Sequence, residues 1–154
     1  MRVVLLAVGR PRQSGLTEAI RDYETRAARY WPLNVIEVKE ESARGATPEH
    51  VRTREAERLV EHLAPDARVV VCDPGGDTLD STAFAQWLSS LRDGAHSVSF
   101  VIGGAYGLGA AVRLRATRRL SLAPWTLPHE LARLVLSEQL YRAGTIVRGE
   151  PYHK

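Results

Sequence analysis

Five short apolar runs, each separated from the next by residues at helical spacing, constrain this chain more than any other feature. The runs are Val3–Val8, Val35–Val38, Arg68–Cys72, Val98–Ile102 and Leu120–Leu122. They are too short for helices and rich in β-branched side chains, so they read as buried strands. Strands that alternate with helices predict an α/β fold with a mostly parallel sheet flanked by helices. With 154 residues and no repeat, low-complexity segment or linker, the chain is expected to form one domain over 1–154.

The intervening segments carry helix signals. Leu16, Ile20, Tyr23, Ala27 and Tyr30 share one helical face, predicting a helix over Ser14–Tyr30 that stops before Pro32. Thr47 followed by Pro48 reads as a cap and first helical residue, with the helix ending before Pro65. Ser81 is the expected cap of a helix running to Arg92, after a turn at Asp73-Pro74-Gly75-Gly76. A short arginine-rich helix precedes Leu120. The last helix opens at Pro128 and is expected to end near Ala143, at Gly144.

Charge is unevenly distributed. Residues 1–99 hold 13 Lys+Arg against 15 Asp+Glu, whereas residues 100–154 hold 8 against 3. Between Phe100 and His129 lie Arg113, Arg115, Arg118 and Arg119 and no acid. This fits an anionic partner on one face, RNA or a phosphorylated ligand, and equally a solvated helix face. The single cysteine, Cys72, excludes an internal disulfide. The opening apolar run is too short for a signal peptide, and no run reaches the roughly 20 residues of a membrane helix. A soluble, cytoplasmic protein without membrane association is expected.

Ligands of parallel α/β sheets sit beyond the C-terminal ends of the strands. One such end carries Gly103-Gly104-Ala105-Tyr106-Gly107-Leu108-Gly109. The loop permits close backbone approach to a ligand, or it is a tight turn that needs glycine. It is not a P-loop, since no Lys-Ser/Thr follows, and it lacks dinucleotide spacing. Gly9-Arg10-Pro11-Arg12 likewise lacks the phosphate turn of a Rossmann domain. One cysteine and scattered histidines give no zinc spacing, so no metal is expected. No serine sits in a hydrolase elbow. Leu120–His129, with two prolines and Trp125, is either a packed connector or a loop whose peptide groups read a planar ligand.

Three ordered blocks carry a resemblance: Phe100–Leu108; Leu120–Leu122 through Thr126-Leu127-Pro128-His129; and Glu138–Ala143 with the terminal Pro151-Tyr152-His153. Over its whole length the chain resembles the ribosomal RNA large subunit methyltransferase H family, minimal SPOUT methyltransferases. The resemblance implies S-adenosylmethionine-dependent methylation of N3 of pseudouridine 1915 in the 23S ribosomal RNA, on the assembled 70S ribosome. It also implies a C-terminal trefoil knot and a homodimer with the cofactor site near its interface. Carried over by position, cofactor contacts fall on Cys72, Gly103, Leu122, Ala123, Pro124, Trp125, Thr126 and Leu127. The chain departs from the family at Cys72, usually leucine, at Tyr106, usually short and polar or acidic, and at Pro124-Trp125. These changes bear on affinity and loop shape rather than on function.

Methyl transfer to N3 requires loss of its proton, so a general base is expected within hydrogen-bond reach. His129, His153 and Glu138 are candidates, and no one of them is singled out. Arg142 would stabilise negative charge on a base carbonyl or hold a phosphate, or would simply pair with Glu138 one helical turn away. Tyr152 would stack on an extruded base, or dock the tail. The rival readings are a non-enzymatic ribosome- or RNA-binding protein and, opposed by the missing P-loop lysine, a phosphotransfer enzyme.

Overall fold

The computed structural model describes all 154 residues. Its elements run β1 (Val3–Val8), α1 (Ser14–Ala27), β2 (Leu33–Val38), α2 (Pro48–Val60), β3 (Arg68–Thr78), α3 (Ser81–Asp93), β4 (Val98–Ile102), α4 (Ala110–Arg115), β5 (Arg118–Ser121) and α5 (His129–Val147), with a closing 3₁₀ turn at Pro151–His153. The five strands form one sheet in the order β2-β1-β4-β3-β5. Every neighbouring pair is parallel. The expected α/β architecture is therefore present.

Alternation along the strands builds two cores. Val3, Leu5, Ala7, Val70 and Phe100 join Phe84 and Leu88 of α3 and Leu136 and Leu140 of α5 on one face. Leu6, Val8, Val69, Val71 and Val101 join Ala56 and Leu59 of α2 and Val112 of α4 on the other. Successive side chains point to opposite faces, so a strand covered by helices on both sides must be apolar throughout. Trp31, just after α1, is buried and donates from Nε1 to the Leu140 carbonyl at 2.8 Å. That bond ties α1 to α5.

Several expected boundaries move. Helix α1 stops at Ala27, and Ala28–Tyr30 form a turn. The cap of α3 is Asp80, whose Oδ1 accepts from the Ala83 N–H at 2.7 Å; Ser81 instead donates to Gln139 at 2.7 Å. Strand β3 continues through the predicted turn, with a register shift between Cys72 and Asp77 against Leu120. Helix α5 passes straight through Gly144. A Cβ there would lie 2.3 Å from Cγ of Tyr30, so this glycine serves close packing rather than termination. The helix ends at Gly149, with φ +69°, where Gly149 N–H reaches Ile146 O and Glu150 N–H reaches Thr145 O. This pair of bonds is the Schellman arrangement.

No helix is long and apolar enough to cross a membrane.

Candidate functional site

Beyond the C-terminal ends of β4 and β5, against the register shift in β3, the chain encloses a cleft of about 490 Å³. Ligand pockets of this size hold a small organic molecule. Four pieces of chain wall it: Cys72-Asp73-Pro74, Ile102–Ala105 with Gly107, Leu122-Ala123 with Trp125–Pro128, and the start of α5 at His129 and Ala132.

The glycine wall is shaped by its own backbone. A Cβ on Gly103 would lie 2.9 Å from the carbonyl carbon and oxygen of Gly107, so the loop folds onto itself there. Gly107 has φ +84° and donates its N–H to Gly104 O at 3.1 Å. Behind Gly104 stands Glu55 of α2, almost fully buried, with Oε1 accepting from Glu41 N–H at 3.1 Å and Oε2 without a partner. Burial pushes the Glu55 carboxyl above its ordinary value, and the nearby charge of Glu40 adds to this.

The β3 wall is electrostatically set. Asp73 Oδ1 accepts from Gly75 N–H at 2.9 Å. Its Oδ2 accepts from Arg119 at 3.2 Å and also from Arg113. The Gly75 bond and the two guanidinium groups hold this carboxyl below the usual range. The neighbouring Cys72 thiol is pushed up to about 12 by desolvation, so it stays protonated. On the opposite wall Ser121 Oγ donates to Ala123 O at 2.7 Å, fixing the entry into the Leu122–Leu127 loop.

Of the residues assigned to the cofactor from sequence, Cys72, Gly103, Leu122, Ala123, Trp125, Thr126 and Leu127 line this one cleft. Pro124 lies on the same loop, exposed. His129 is the only catalytic candidate that lines it. Glu138, Arg142 and Tyr152 form a separate cluster. Glu138 Oε1 accepts from Arg142 Nε at 2.9 Å, Arg142 Nη2 at 2.6 Å and the Tyr152 hydroxyl at 3.1 Å. Desolvation, a bond with Tyr23 and the charge of Glu138 raise the Tyr152 phenol above its ordinary value. The Tyr152 ring centroid lies 4.5 Å from that of Tyr141 and 4.9 Å from the Arg142 guanidinium. His153 is exposed, with Nδ1 2.9 Å from Glu150 O. At 1.5 Å per residue, Arg142 stands about 20 Å along α5 from His129.

Sequence reasoning did not foresee the arginine clamp on Asp73, nor Ala132 of α5 as a cleft wall. Ile102, Gly104, Ala105, Gly107 and Pro128 lie in segments it marked as ligand candidates, without assigning them to the cofactor. Nor did it foresee Glu55, because nothing in a polar helix marks one glutamate as buried.

The basic stretch is only partly free. Arg115 donates to Ala64 O at 3.2 Å, and Arg118 lies over the Trp87 ring at 4.9 Å.

The pattern of a family described as predicted SPOUT methyltransferase matches residues 1–153. A "Ribosomal RNA large subunit methyltransferase H" from Gemmatimonas aurantiaca is 70% identical, over 100% of both chains. One of that name from Pelobacter propionicus is 44% identical over 99% of each. Among solved structures, a probable methyltransferase from Bordetella pertussis superposes with a TM-score of 0.54 at 18% identity, covering 92% of this chain and 95% of the other. A probable methylase family protein from Haemophilus influenzae gives 0.53 at 14%, covering 99% and 70%. At such identities the structural likeness speaks for the fold.

Proposed function

This chain belongs to the SPOUT methyltransferase family, and from that premise we propose that it methylates N3 of pseudouridine 1915 in the large-subunit ribosomal RNA with S-adenosylmethionine. The observation that carries the proposal is the cleft between the glycine loop and the Leu122–Leu127 loop. It gathers backbone from the ends of β4 and β5 and from the register shift within β3, as cofactor recognition by peptide groups requires. The bound cofactor supplies an electrophilic methyl group on a sulfonium.

Gly103, Cys72 and the peptide groups of the Leu122–Leu127 loop, those of Pro124 and Trp125 included, hold the cofactor, which leaves the exposed Trp125 ring free. The apolar walls exclude water. The Cys72 thiol, protonated, does not compete as a nucleophile. His129 lines the cleft and has the side chain to accept the N3 proton. Within one chain Glu138, Arg142, Tyr152 and His153 lie toward the far end of α5. We place them at the cleft of a second copy, in a symmetric homodimer. Leu131, Leu134 and Val135 of α5 stay partly exposed and provide apolar surface for that contact. There Arg142 steadies negative charge on the base or its phosphate, and Glu138 orients Arg142. The knotted C-terminal third, residues 1–154 as one domain, a 70S ribosomal substrate and a cytoplasmic setting belong to the same proposal.

Titration calorimetry with S-adenosylmethionine, ATP and NAD tests the cleft: only the first is expected to bind. Radiolabelled methyl transfer to ribosomes lacking the modification tests the reaction. RNA binding without cofactor binding would establish the non-enzymatic alternative. Sedimentation at micromolar concentration is expected to show a dimer.

A further inference from the structure

Only three large hydrophobic side chains of this protein are exposed: Tyr106 at 42%, Leu114 at 86% and Trp125 at 77%. One of the three, Trp125, lines the cleft, and a second, Tyr106, is carried on the glycine loop that walls it. Tyr106 lies between Ala105 and Gly107, both of which line it, and Trp125 lines the opposite loop. At the Asp73 wall of the same cleft Arg113 and Arg119, each about half-exposed, converge on the single Asp73 carboxylate. Two cations on one anion leave a net positive rim. Aromatic faces with guanidinium groups at one mouth match what single-stranded nucleic acid offers, a planar base and a phosphate.

We propose that Tyr106 and Trp125 form a stacking rim for unpaired bases of the RNA substrate, with Arg113 and Arg119 taking an adjacent phosphate. This rests on the methyltransferase function proposed above and names how that site takes its RNA. An enzyme that acts on a base must draw it from its stack, and the neighbours it leaves need new faces. Tyr152, the stacking candidate in the sequence, is less free for this. Its ring already meets Tyr141 and Arg142, and its hydroxyl is engaged by Glu138. Tyr106 and Trp125 keep their rings in solvent. Aromatic stacking tolerates any base, so the rim adds grip rather than sequence choice. The arginines make that grip salt-sensitive.

The test compares wild type with Tyr106→Ser, Tyr106→Phe, Trp125→Ala and Trp125→Phe. Three measurements are made: S-adenosylmethionine affinity by calorimetry, KM and kcat for methyl transfer to unmodified ribosomes, and affinity for a short fluorescent single-stranded RNA at low and moderate salt. Tyr106→Ser and Trp125→Ala are each expected to weaken short-RNA binding and raise the ribosome KM about tenfold, the order of one lost stacking contact. The phenylalanine variants restore both, because the ring face is what binds. RNA affinity and KM unchanged in both truncations would overturn the rim. So would cofactor affinity falling in step, which assigns the rings to the cofactor's adenine, or dissociation of the dimer, which assigns them to a protein contact. If wild type transfers no methyl to ribosomes, the methyltransferase function fails on its own. The short-RNA arm then still decides the rim.

Discussion

Arg133 of α5 donates from Nε to Glu24 Oε1 of α1 at 2.7 Å, with both side chains almost wholly out of water. Its Nη2 forms an ion pair with Glu37 Oε1 at 2.9 Å, near the end of β2, and neither Nη atom makes a well-aligned hydrogen bond. One guanidinium thus joins α1, β2 and α5, next to the residues that open the cleft. Although desolvation works against it, contacts from Arg21 and Arg133 hold the Glu37 carboxyl below its ordinary value.

Arg133→Ala removes the buried partner of Glu24 and leaves it only the 3.3 Å contact from half-exposed Arg21. Breaking a buried pair in this way costs about 3–5 kcal/mol. Urea unfolding is expected to show a loss in that range. A change below about 1 kcal/mol, within surface-pair values, would show that the buried network does not hold these elements together.

Glu55 predicts a pH dependence. Its carboxyl is raised in the folded chain, so the folded state holds the proton more tightly than the unfolded state. Stability therefore falls as pH rises from the ordinary glutamate value of about 4.3 through the raised folded value. Glu55→Gln is neutral and keeps the oxygen that accepts from Glu41 N–H. The variant is expected to melt higher than wild type at pH 8, and the gap should close below about pH 4. Thermal melts across pH measure this, and an equal gap at every pH would contradict it.

Gly103→Ala presses a methyl against the Gly107 peptide at 2.9 Å. The clash is with the loop itself, so the wall deforms before any ligand arrives. Cofactor affinity is expected to fall at least about tenfold, or 1.4 kcal/mol. Circular dichroism should stay close to wild type. Normal titration by S-adenosylmethionine in a folded variant would move the cofactor elsewhere.

Gly144→Ala sets two effects against each other. Alanine gains about 1 kcal/mol of helix propensity over glycine. Its Cβ, however, would sit 2.3 Å from the Tyr30 ring, and overpacking costs about 1–3 kcal/mol. Backbone and ring are both packed, so the clash wins, and a net loss of about 1 kcal/mol or more is expected in chemical unfolding. A stabilised variant would show that Tyr30 moves aside freely.

Deleting Tyr152–Lys154 removes Tyr152 and His153 together. Neither lines the cleft of its own chain, and at a second copy's cleft they face the RNA base rather than the cofactor, so cofactor affinity is expected to stay within about twofold, under half a kcal/mol. Methyl transfer to unmodified ribosomes is expected to drop about a hundredfold or more, the scale of a lost acid–base group. Full activity in the truncated protein would remove the tail from the mechanism. Loss of cofactor binding in parallel would make it part of the cofactor site.

The strands and the parallel sheet were legible because burial on both faces demands continuous apolar runs, and Val3–Val8 and Val98–Ile102 supply them. The glycine loop was legible because four glycines after a strand have few uses. Helix ends were read less well. Gly144 has the composition of a terminator, yet Tyr30 packs against it from over a hundred residues away, and no local signal reports that. Asp80 displaced Ser81 as a cap because either side chain suits the role, and Gln139 of α5 takes the serine hydroxyl.

Sequence by itself determined the α/β class, the family and the two loops that meet at the cleft. Apolar period and loop chemistry are local, and family resemblance runs the length of the chain. Tertiary structure alone decided which charges are spent and which are free. It put Arg113 and Arg119 on Asp73 and buried Glu24 and Glu55. Those outcomes depend on distances between residues far apart in the chain, and charge interactions are set by distance and burial, neither of which is written in the order of residues.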